Sequence, residues 1–307
     1  MSRHRPSIAA RLDALLHGPR GRAVAAALGD FLAVLAPSDC VACGAPDAVL
    51  CGPCRGRLRA ATVRPVPAED AAESLPLLAD GTVLPATAAG RYADELAAVI
   101  LAFKNRQRVG LAGVLGPALA GSVRTAWTRA RDAAPHSPAT SAVSAALGAV
   151  EAPLLLVPVP SRFAARTRRG YAPVEFLLQW IRRRGLLPPG AAVAPLLRHR
   201  PARPWRAAAQ KGKGRRARAA LRGSMRVSAG AAGRLRGSGA EGESGGGDTP
   251  GAPAGRPRCL VVDDVLTTGA TIAEARRCLE EAGFEVAGAV VVAATKAPRN
   301  RNMVGGT

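Results

Sequence analysis

Aromatic side chains are scarce in this chain of 307 residues: they make up 3% of it, although 48% of the residues are hydrophobic. The core must therefore be built mainly from Ala, Val and Leu, which gain less free energy from burial than larger side chains do. The apolar content is still sufficient for one good core and a small accessory module. The composition thus predicts one main domain and one small one.

Long apolar runs are also missing. No stretch of 18 or more consecutive apolar residues occurs, so we expect no membrane-spanning helix. The one signal-like stretch, 24–37, is interrupted by Asp30 and follows a long leader with scattered arginines, so we interpret it as a short amphipathic helix. Without an export signal we expect the protein in the cytoplasm. Thiols stay reduced there, which favours metal binding over disulfides for clustered cysteines.

Lysine is rare, since only four of the 43 basic residues are Lys and the others are Arg. With 22 acidic residues, the formal net charge is +21. Such an excess is typical of nucleic-acid-binding proteins, because neutralised phosphates release counterions. A bias toward Arg, Ala, Gly and Pro is also the default product of a GC-rich coding sequence. Charge alone therefore leaves nucleic-acid binding open.

Hydrophobic periodicity divides the chain into a short N-terminal part and a longer α/β part. Residues 1–62 contain helix-like periodicity and a cysteine cluster, and 63–80, rich in Pro and acidic residues, is predicted to be a connector. Residues 81–296 form the main domain, interrupted at 228–257 by a predicted disordered insertion of Gly, Ala, Ser and Pro, and 297–307 form a tail. Strands are predicted at 83–91, 154–159, 193–197, 259–262 and 286–293, and helices at 92–106, 111–123, 174–181 and 271–282. This order predicts a mostly parallel sheet flanked by helices, with ligands at the carboxyl ends of its strands.

The segment 259–271, CLVVDDVLTTGAT, joins an apolar strand, two adjacent carboxylates, a turn rich in Thr and Gly and a helix start. Asp263 and Asp264 can accept hydrogen bonds from vicinal hydroxyls. A divalent cation or those hydroxyls must then separate the carboxylates from a phosphate. The plainer alternative is a strand end with an Asp turn and a Thr cap on the helix. Because all these features occur in one unbroken stretch, we interpret it as a sugar-phosphate site.

The turn of this segment supplies what a bound phosphate needs. Backbone N–H groups of 266–271 can converge on a phosphate at the helix N-terminus, where the helix dipole favours negative charge. Gly269 lacks the side chain that would block the approach of the phosphate. Further donors are the hydroxyls of Thr267, Thr268 and Thr271.

Four cysteines form two C-x-x-C pairs, CVAC at Cys40 and Cys43 and CGPC at Cys51 and Cys54. Four thiolates in this arrangement suit one tetrahedral metal ion, and zinc is our assignment. An iron–sulfur cluster and a thioredoxin-like redox pair at CGPC remain alternatives. The other two, Cys259 and Cys278, are expected to be small buried hydrophobes. No histidine is given a role, and His199 is expected to be a solvated side chain.

The segment 259–271 closely resembles the motif with which type I phosphoribosyltransferases bind phosphoribosyl pyrophosphate (PRPP). A four-cysteine finger followed by such a domain is similar to the ComF family, zinc-finger and phosphoribosyltransferase-like proteins linked to DNA uptake in bacterial competence. The stretch 91–108 resembles the family's Tyr-led helix, and 157–171, VPVPSRFAARTRRGY, resembles its pyrophosphate loop. Gly223, Ser224 and Met225 stand at the family's small-residue strand entry. The resemblance covers most of 31–296.

This resemblance implies a type I phosphoribosyltransferase-like fold with a small N-terminal zinc finger. The implied PRPP-binding residues are Asp263, Asp264, Leu266, Thr267, Thr268, Gly269, Ala270 and Thr271. The two aspartates, as catalytic residues, would hold the ribose 2′ and 3′ hydroxyls, and magnesium would accompany the pyrophosphate. The implied pyrophosphate loop comprises Pro158, Val159, Pro160, Arg169 and Gly170, although an ordinary strand terminus would also explain the two prolines.

Three functions fit these observations. The first is a phosphoribosyltransferase that transfers ribosyl phosphate to an unidentified acceptor with loss of pyrophosphate, mainly by positioning and charge stabilisation. The second is a non-catalytic accessory protein whose finger and basic stretch contact single-stranded DNA or a DNA-processing protein. The third is a PRPP sensor without turnover. The basic stretch 198–236 has thirteen Lys or Arg and no acidic residue. Its first part, 198–222, is either a mobile lid that closes over pyrophosphate or a solvated loop.

Overall fold

The computed structural model describes residues 39–105, 108–133, 153–161, 167, 169–200, 222–230, 233 and 256–295. The predicted N-terminal helix, the tail and most of the basic stretch and of the Gly-rich insertion lie outside these residues. Contacts within the chain divide it into two compact units, which adjoin in sequence at Cys54 and Arg55.

The described part of the first unit, 39–54, is built from tight turns around the cysteines. The N–H of Gly44 donates to the carbonyl oxygen of Cys40 (2.8 Å), and the N–H of Cys40 donates to that of Ala45 (2.7 Å). Gly44 has a φ of +76°, a conformation that glycine adopts without steric cost. Helix α1, Gly52–Thr62, begins at the second cysteine pair.

The described part of the second unit contains eight strands, of which six form one sheet. In chain order the eight strands are β1 Val66–Pro67, β2 Ala86–Arg91, β3 Leu154–Pro158, β4 Ala191–Val193, β5 Leu197–His199, β6 Met225–Val227, β7 Arg258–Leu266 and β8 Glu285–Ala294. The sheet order is β1-β2-β8-β7-β3-β4, while β5 and β6 form a separate ribbon. Only β1 is antiparallel to its neighbour in the described sheet, so the predicted mostly parallel sheet is confirmed.

Helices cover both faces of this sheet. They are α2 Asp94–Asn105, α3 Ala112–Asp132, α4 Pro173–Arg183 and α5 Ala270–Glu281. Helix α3 packs on β2, β8 and α4, whereas α5 packs on β7, β8 and the ribbon. Side chains of β7 alternate accordingly. Cys259 and Val261 join the core beneath α5, and Leu260 lies toward α3. Burial on both faces is what a central parallel strand requires.

Helix α3 and the turn before it, Val109–Asp132, have the length and apolar composition of a membrane span. Their most apolar stretch is 56% buried within the protein, and α3 packs on the sheet and on α4. These contacts are those of a core helix in a folded domain.

Residues 63–80, predicted to be a connector, contribute to the core of the second unit through buried Ala68, Ala72 and Leu75. The carboxylate of Glu69 accepts a hydrogen bond from the N–H of Ala86 (3.1 Å). The same carboxylate forms an ion pair with Nη2 of Arg129 (2.6 Å). This segment is therefore fastened to both β2 and α3.

Most predicted elements agree with the structure to within three residues at each end, and three differ more. Strand β7 continues past Val262, because its backbone remains paired with β8 as far as Leu266 and Ala294. The predicted strand 193–197 is divided between β4 and β5, and Pro195 between them has no N–H to donate to a ladder. Helix α3 extends to Asp132 rather than ending at 123, since buried Ala126 and Ala130 keep its inner face apolar.

The contact between α3 and α4 predicts opposite effects for two glycines of α3. A Cβ at Gly116 would lie 2.4 Å from Cε3 of Trp180, whereas one at Gly121 would make an ordinary 3.5 Å contact with Pro65. We expect Gly116→Ala to destabilise the fold by about 1–3 kcal/mol through overpacking. Gly121→Ala should stabilise it by about 0.5–1 kcal/mol through helix propensity. Urea unfolding measures both, and a Gly116→Ala protein as stable as Gly121→Ala would contradict the packing.

Candidate functional site

The carboxyl end of β7 carries two adjacent acidic side chains and a tight turn. Asp263 is still paired with Val291 in the sheet, and its Oδ1 accepts a hydrogen bond from the N–H of Asp264 (2.8 Å). After Leu266 the chain turns through Gly269, which caps the N-terminus of α5. The N–H groups of that first helical turn have no carbonyl partner within the helix, and they lie at the same edge of the sheet as the carboxylates.

Gly269 is required at this turn for two reasons. Its φ is +83°, and a Cβ would lie 2.8 Å from the backbone nitrogen of Leu75. The N–H of Ser74 donates to the carbonyl oxygen of Thr268 (2.8 Å). The turn is thus braced from behind by 74–75, and any larger residue would push this support away.

A cleft of about 380 Å³ opens beside this turn. The lining residues come from six regions of the chain: Lys104, Val159, Pro160, Ser161, Arg169, Val174, His199, Met225, Asp263, Asp264, Val265, Thr267 and Thr271. The segments predicted to bind the sugar phosphate and the pyrophosphate, which are about 100 residues apart, therefore meet at one cleft.

Half of the predicted PRPP residues place side chains in this lining. Asp263, Asp264, Thr267 and Thr271 line the cleft. Leu266 is buried in the core beneath α5, and Ala270 is the first residue of that helix. Thr268 is exposed, and its hydroxyl accepts a hydrogen bond from the N–H of Ala270 (3.4 Å).

The predicted pyrophosphate loop divides in the same way. Val159, Pro160 and Arg169 line the cleft. Pro158 is the buried last residue of β3, and Gly170 has a φ of +76°. The ribbon places two further side chains in the cleft, Met225 and His199, neither of which was predicted to belong to the site.

His199 is not the solvated side chain that we expected. It is half-buried in β5, and its Nε2 lies 2.9 Å from the carbonyl oxygen of Pro160. Strand alternation places it on the same side as buried Leu197, and this was the only signal in the sequence. Cys259 and Cys278 are buried as predicted.

The cleft contains charges of both signs. Nζ of Lys104 lies 2.7 Å from Oδ2 of Asp264, and neither side chain is fully exposed. Burial, together with the Asp264 carboxylate, raises the pKa of Asp263 to about 8. Nε of Arg169 is buried and has no hydrogen-bond partner in the part of the chain that the structure describes. Such a donor is suited to an anion that enters the cleft.

An aromatic cluster positions the two cations. Phe103, Tyr171 and Phe176 contact one another edge-to-face, with ring centroids 5.5–6.0 Å apart. The hydroxyl of Tyr171 donates a hydrogen bond to the carbonyl oxygen of Phe103. Since Phe103 precedes Lys104 and Tyr171 follows shortly after Arg169, this cluster fixes the end of α2 against the segment that carries Arg169.

The four N-terminal cysteines form a second candidate site, which lies within the first unit. Their sulfur atoms all lie within 4.8 Å of one another, and Sγ of Cys43 is 3.6 Å from that of Cys51. A tetrahedral ion with bonds of about 2.3 Å holds its sulfurs about 3.8 Å apart. Burial opposes ionisation of Cys40, but backbone N–H groups, first that of Cys51, lower its pKa to about 6. This cluster could therefore hold a metal ion.

Comparison with known proteins agrees with the geometry of the cleft. The family model of the phosphoribosyl transferase domain matches residues 253–303. The adenine phosphoribosyltransferase of Clavibacter michiganensis subsp. michiganensis (strain NCPPB 382) is 56% identical over 43 residues. That stretch covers 14% of this chain and 25% of the enzyme. The predicted fold class, an α/β phosphoribosyltransferase domain with a four-cysteine cluster in the N-terminal region, is confirmed.

The raised pKa of Asp263 predicts a pH dependence of the ligand-free protein. Its carboxyl group should remain protonated in the folded state up to about pH 8 but ionise above pH ~4 when unfolded. The folded state then binds more protons, so this group should make the free energy of unfolding fall as pH rises between those values. ¹³C-carboxyl NMR should show Asp263 titrating near pH 8, and lower in Asp264→Asn. A titration in the ordinary Asp range in both proteins would contradict the prediction.

Proposed function

We propose that this protein binds PRPP with magnesium in the cleft and transfers its ribosyl 5-phosphate group to an acceptor, releasing pyrophosphate. The observation that carries the proposal is the convergence of the Asp263–Asp264 pair, the turn before α5 and the Arg169 segment on one cleft. The cleft volume of about 380 Å³ lies within the range of roughly 300–1,000 Å³ common for ligand sites.

The end of β7 and the turn after it would hold the ribose 5-phosphate half of the ligand. Asp263 and Asp264 would accept hydrogen bonds from the two vicinal ring hydroxyls. The N–H groups at the start of α5, together with the hydroxyls of Thr267 and Thr271, would bind the 5′-phosphate. Gly269 contributes by allowing the positive φ of the turn and by leaving room for the backbone of Leu75 that supports it.

The loop after β3 and Arg169 would hold the pyrophosphate half. The buried Nε of Arg169, without a partner among the described residues, gains one when an anionic oxygen reaches it. Magnesium would supply a positive charge to the pyrophosphate oxygens as this group leaves. Donors and cations fixed in advance around the leaving group stabilise charge that develops in the transition state.

Lys104 belongs to this site in our proposal. Its ammonium group neutralises the Asp264 carboxylate at 2.7 Å, and Asp263 resists ionisation because its pKa is raised. The two aspartates together with Lys104 thus carry little net charge, so a ligand with several phosphates can enter the cleft without strong repulsion. Removal of Lys104 would leave a partly buried carboxylate without its counter-charge.

We further propose that the protein is of the ComF type, acts in the cytoplasm and takes part in DNA uptake. Support comes from the four-cysteine cluster that precedes the phosphoribosyltransferase domain and from the formal net charge of +21. Its partner would be single-stranded DNA or a DNA-processing protein. The alternative function, favoured by the same charge, is that of a non-catalytic accessory protein that uses the finger and the basic stretch.

Removal of both cleft carboxylates tests the main proposal. We expect the purified protein to bind PRPP in the presence of magnesium, and Asp263→Ala/Asp264→Ala to lose at least tenfold in affinity, because two hydrogen-bond acceptors for the ring hydroxyls are lost. Calorimetry measures both. Asp70→Ala, which removes an exposed carboxylate outside the cleft, should bind as the wild type does.

Either outcome of that titration is informative. Binding that is lost only in the double variant would justify a screen of nucleobases for pyrophosphate release. No binding by the wild type would rule out the transferase and favour the accessory function, which salt-sensitive binding to single-stranded DNA would then identify.

We propose zinc as the metal of the four-cysteine cluster. Purified protein should contain about one zinc per chain by mass spectrometry of the metal, because a closed set of four thiolates suits this ion. Cys54→Ala should contain less than a tenth of that. Cys259→Ala, which removes a core thiol, should retain it in full. Iron in place of zinc would indicate an iron–sulfur cluster, and no metal with a reversible disulfide would indicate a redox pair.

A further inference from the structure

The β5–β6 ribbon connects the two sides of the cleft. Its register places His199 directly opposite Met225, and both side chains line the cleft. Because strand side chains alternate, the neighbouring pair, Arg198 and Arg226, lies on the outer face and is exposed. The inner face of the ribbon therefore forms one wall of the site.

On one side, the ribbon is fastened to α5. The carboxylate of Glu274, which is only 3% exposed, accepts a hydrogen bond from the N–H of Met225 (3.3 Å). The same carboxylate is paired with Arg277 at 2.9 Å, and the thiol of Cys278 donates to the carbonyl oxygen of Met225 (3.3 Å). A buried carboxylate without such partners would be costly, so these contacts hold β6 on α5. This helix begins directly after residues 267–269, the turn proposed to bind the 5′-phosphate, which we call the phosphate turn.

On the other side, the ribbon is fastened to the loop after β3. Nε2 of His199 lies 2.9 Å from the carbonyl oxygen of Pro160, and a carbonyl can only accept, so Nε2 carries the hydrogen. Pro160 is followed by Ser161, and both line the cleft. The ring of His199 therefore reaches the loop after β3, whose Val159 N–H donates to the carbonyl oxygen of Val262 in β7 (2.9 Å).

We propose that His199 is a positioning residue that couples the loop at Pro160 to the phosphate turn at the start of α5. The connection runs from the Pro160 carbonyl through His199 and the ribbon to Met225, Glu274 and α5. This proposal rests on the function proposed above, because it assigns the two segments to the two anionic halves of PRPP. A ligand that contacts the loop at Pro160 should depend on His199, and a ligand that occupies only the phosphate turn should not.

Two substitutions separate positioning from simple packing. In His199→Gln, the side-chain amide can still donate a hydrogen bond to Pro160, whereas His199→Leu fills similar space and has no donor. One neutral hydrogen bond corresponds to a change of about twofold to tenfold in an equilibrium constant. We expect His199→Leu to lose affinity for magnesium–PRPP and magnesium–pyrophosphate by this factor. Its affinity for ribose 5-phosphate should stay unchanged, and His199→Gln should recover most of the loss.

The experiment is a calorimetric titration of the wild type and both variants with these three ligands, with thermal unfolding of each. Equal affinity of His199→Leu and wild type for PRPP would overturn the proposal. So would an equal loss for all three ligands, which would mean a general collapse of the cleft. No binding of PRPP by the wild type would overturn the proposed function and this inference together, and is thereby distinguished from a failure of His199 alone.

A measurement on the wild type covers the case in which His199→Leu does not fold. ¹⁵N NMR of the histidine rings should show His199 with its proton fixed on Nε2 and protected from rapid exchange with water. A ring that exchanges freely between both tautomers would overturn the proposal, because the hydrogen bond to Pro160 would not persist in solution.

Discussion

The rest of the cleft depends on the balance of charge at the end of β7. Adjacent aspartates at the end of a buried strand repel each other and lose hydration, and both effects favour a protonated carboxyl. In this protein one carboxylate is paired with Lys104 and the other has a raised pKa. The acidic pair can remain at the end of a buried strand because Lys104, a cation from another element, lies beside it.

The position of that cation depends in turn on packing far from β7 in sequence. Lys104 is the second-last residue of α2, and its neighbour Phe103 is fixed by the aromatic cluster and by the hydroxyl of Tyr171. The same cluster lies beside Arg169. In a chain with few aromatic residues, three of them meet where two cleft-lining cations are held. Positioning of this kind requires rigid neighbours more than it requires further polar groups.

Contiguous features could be predicted from sequence, and features that depend on distant pairing could not. The turn at 267–269 and the two cysteine pairs carry their chemistry in adjacent residues, so the sequence alone was sufficient to locate them. The mixed α/β class also followed from the order of strands and helices. The roles of the individual site residues remain predictions. His199 could not be placed, because its partner Pro160 is 39 residues away and the strand between them is interrupted at Pro195.

The composition of the cleft wall bears on the acceptor. Among the described residues that line the cleft, none is Phe, Tyr or Trp, and the ribbon side offers Met225 and the imidazole of His199 beside Val159 and Val174. A planar acceptor would then be held mainly by aliphatic and thioether contacts, which are adaptable but discriminate weakly between similar rings. In the transfer that we propose, specificity for an acceptor would come from hydrogen bonds, and the imidazole is the polar group that the ribbon supplies to this wall. The hydrogen bond to Pro160 fixes the plane of that ring, so the same contact would also set the direction in which the proposed acceptor is recognised.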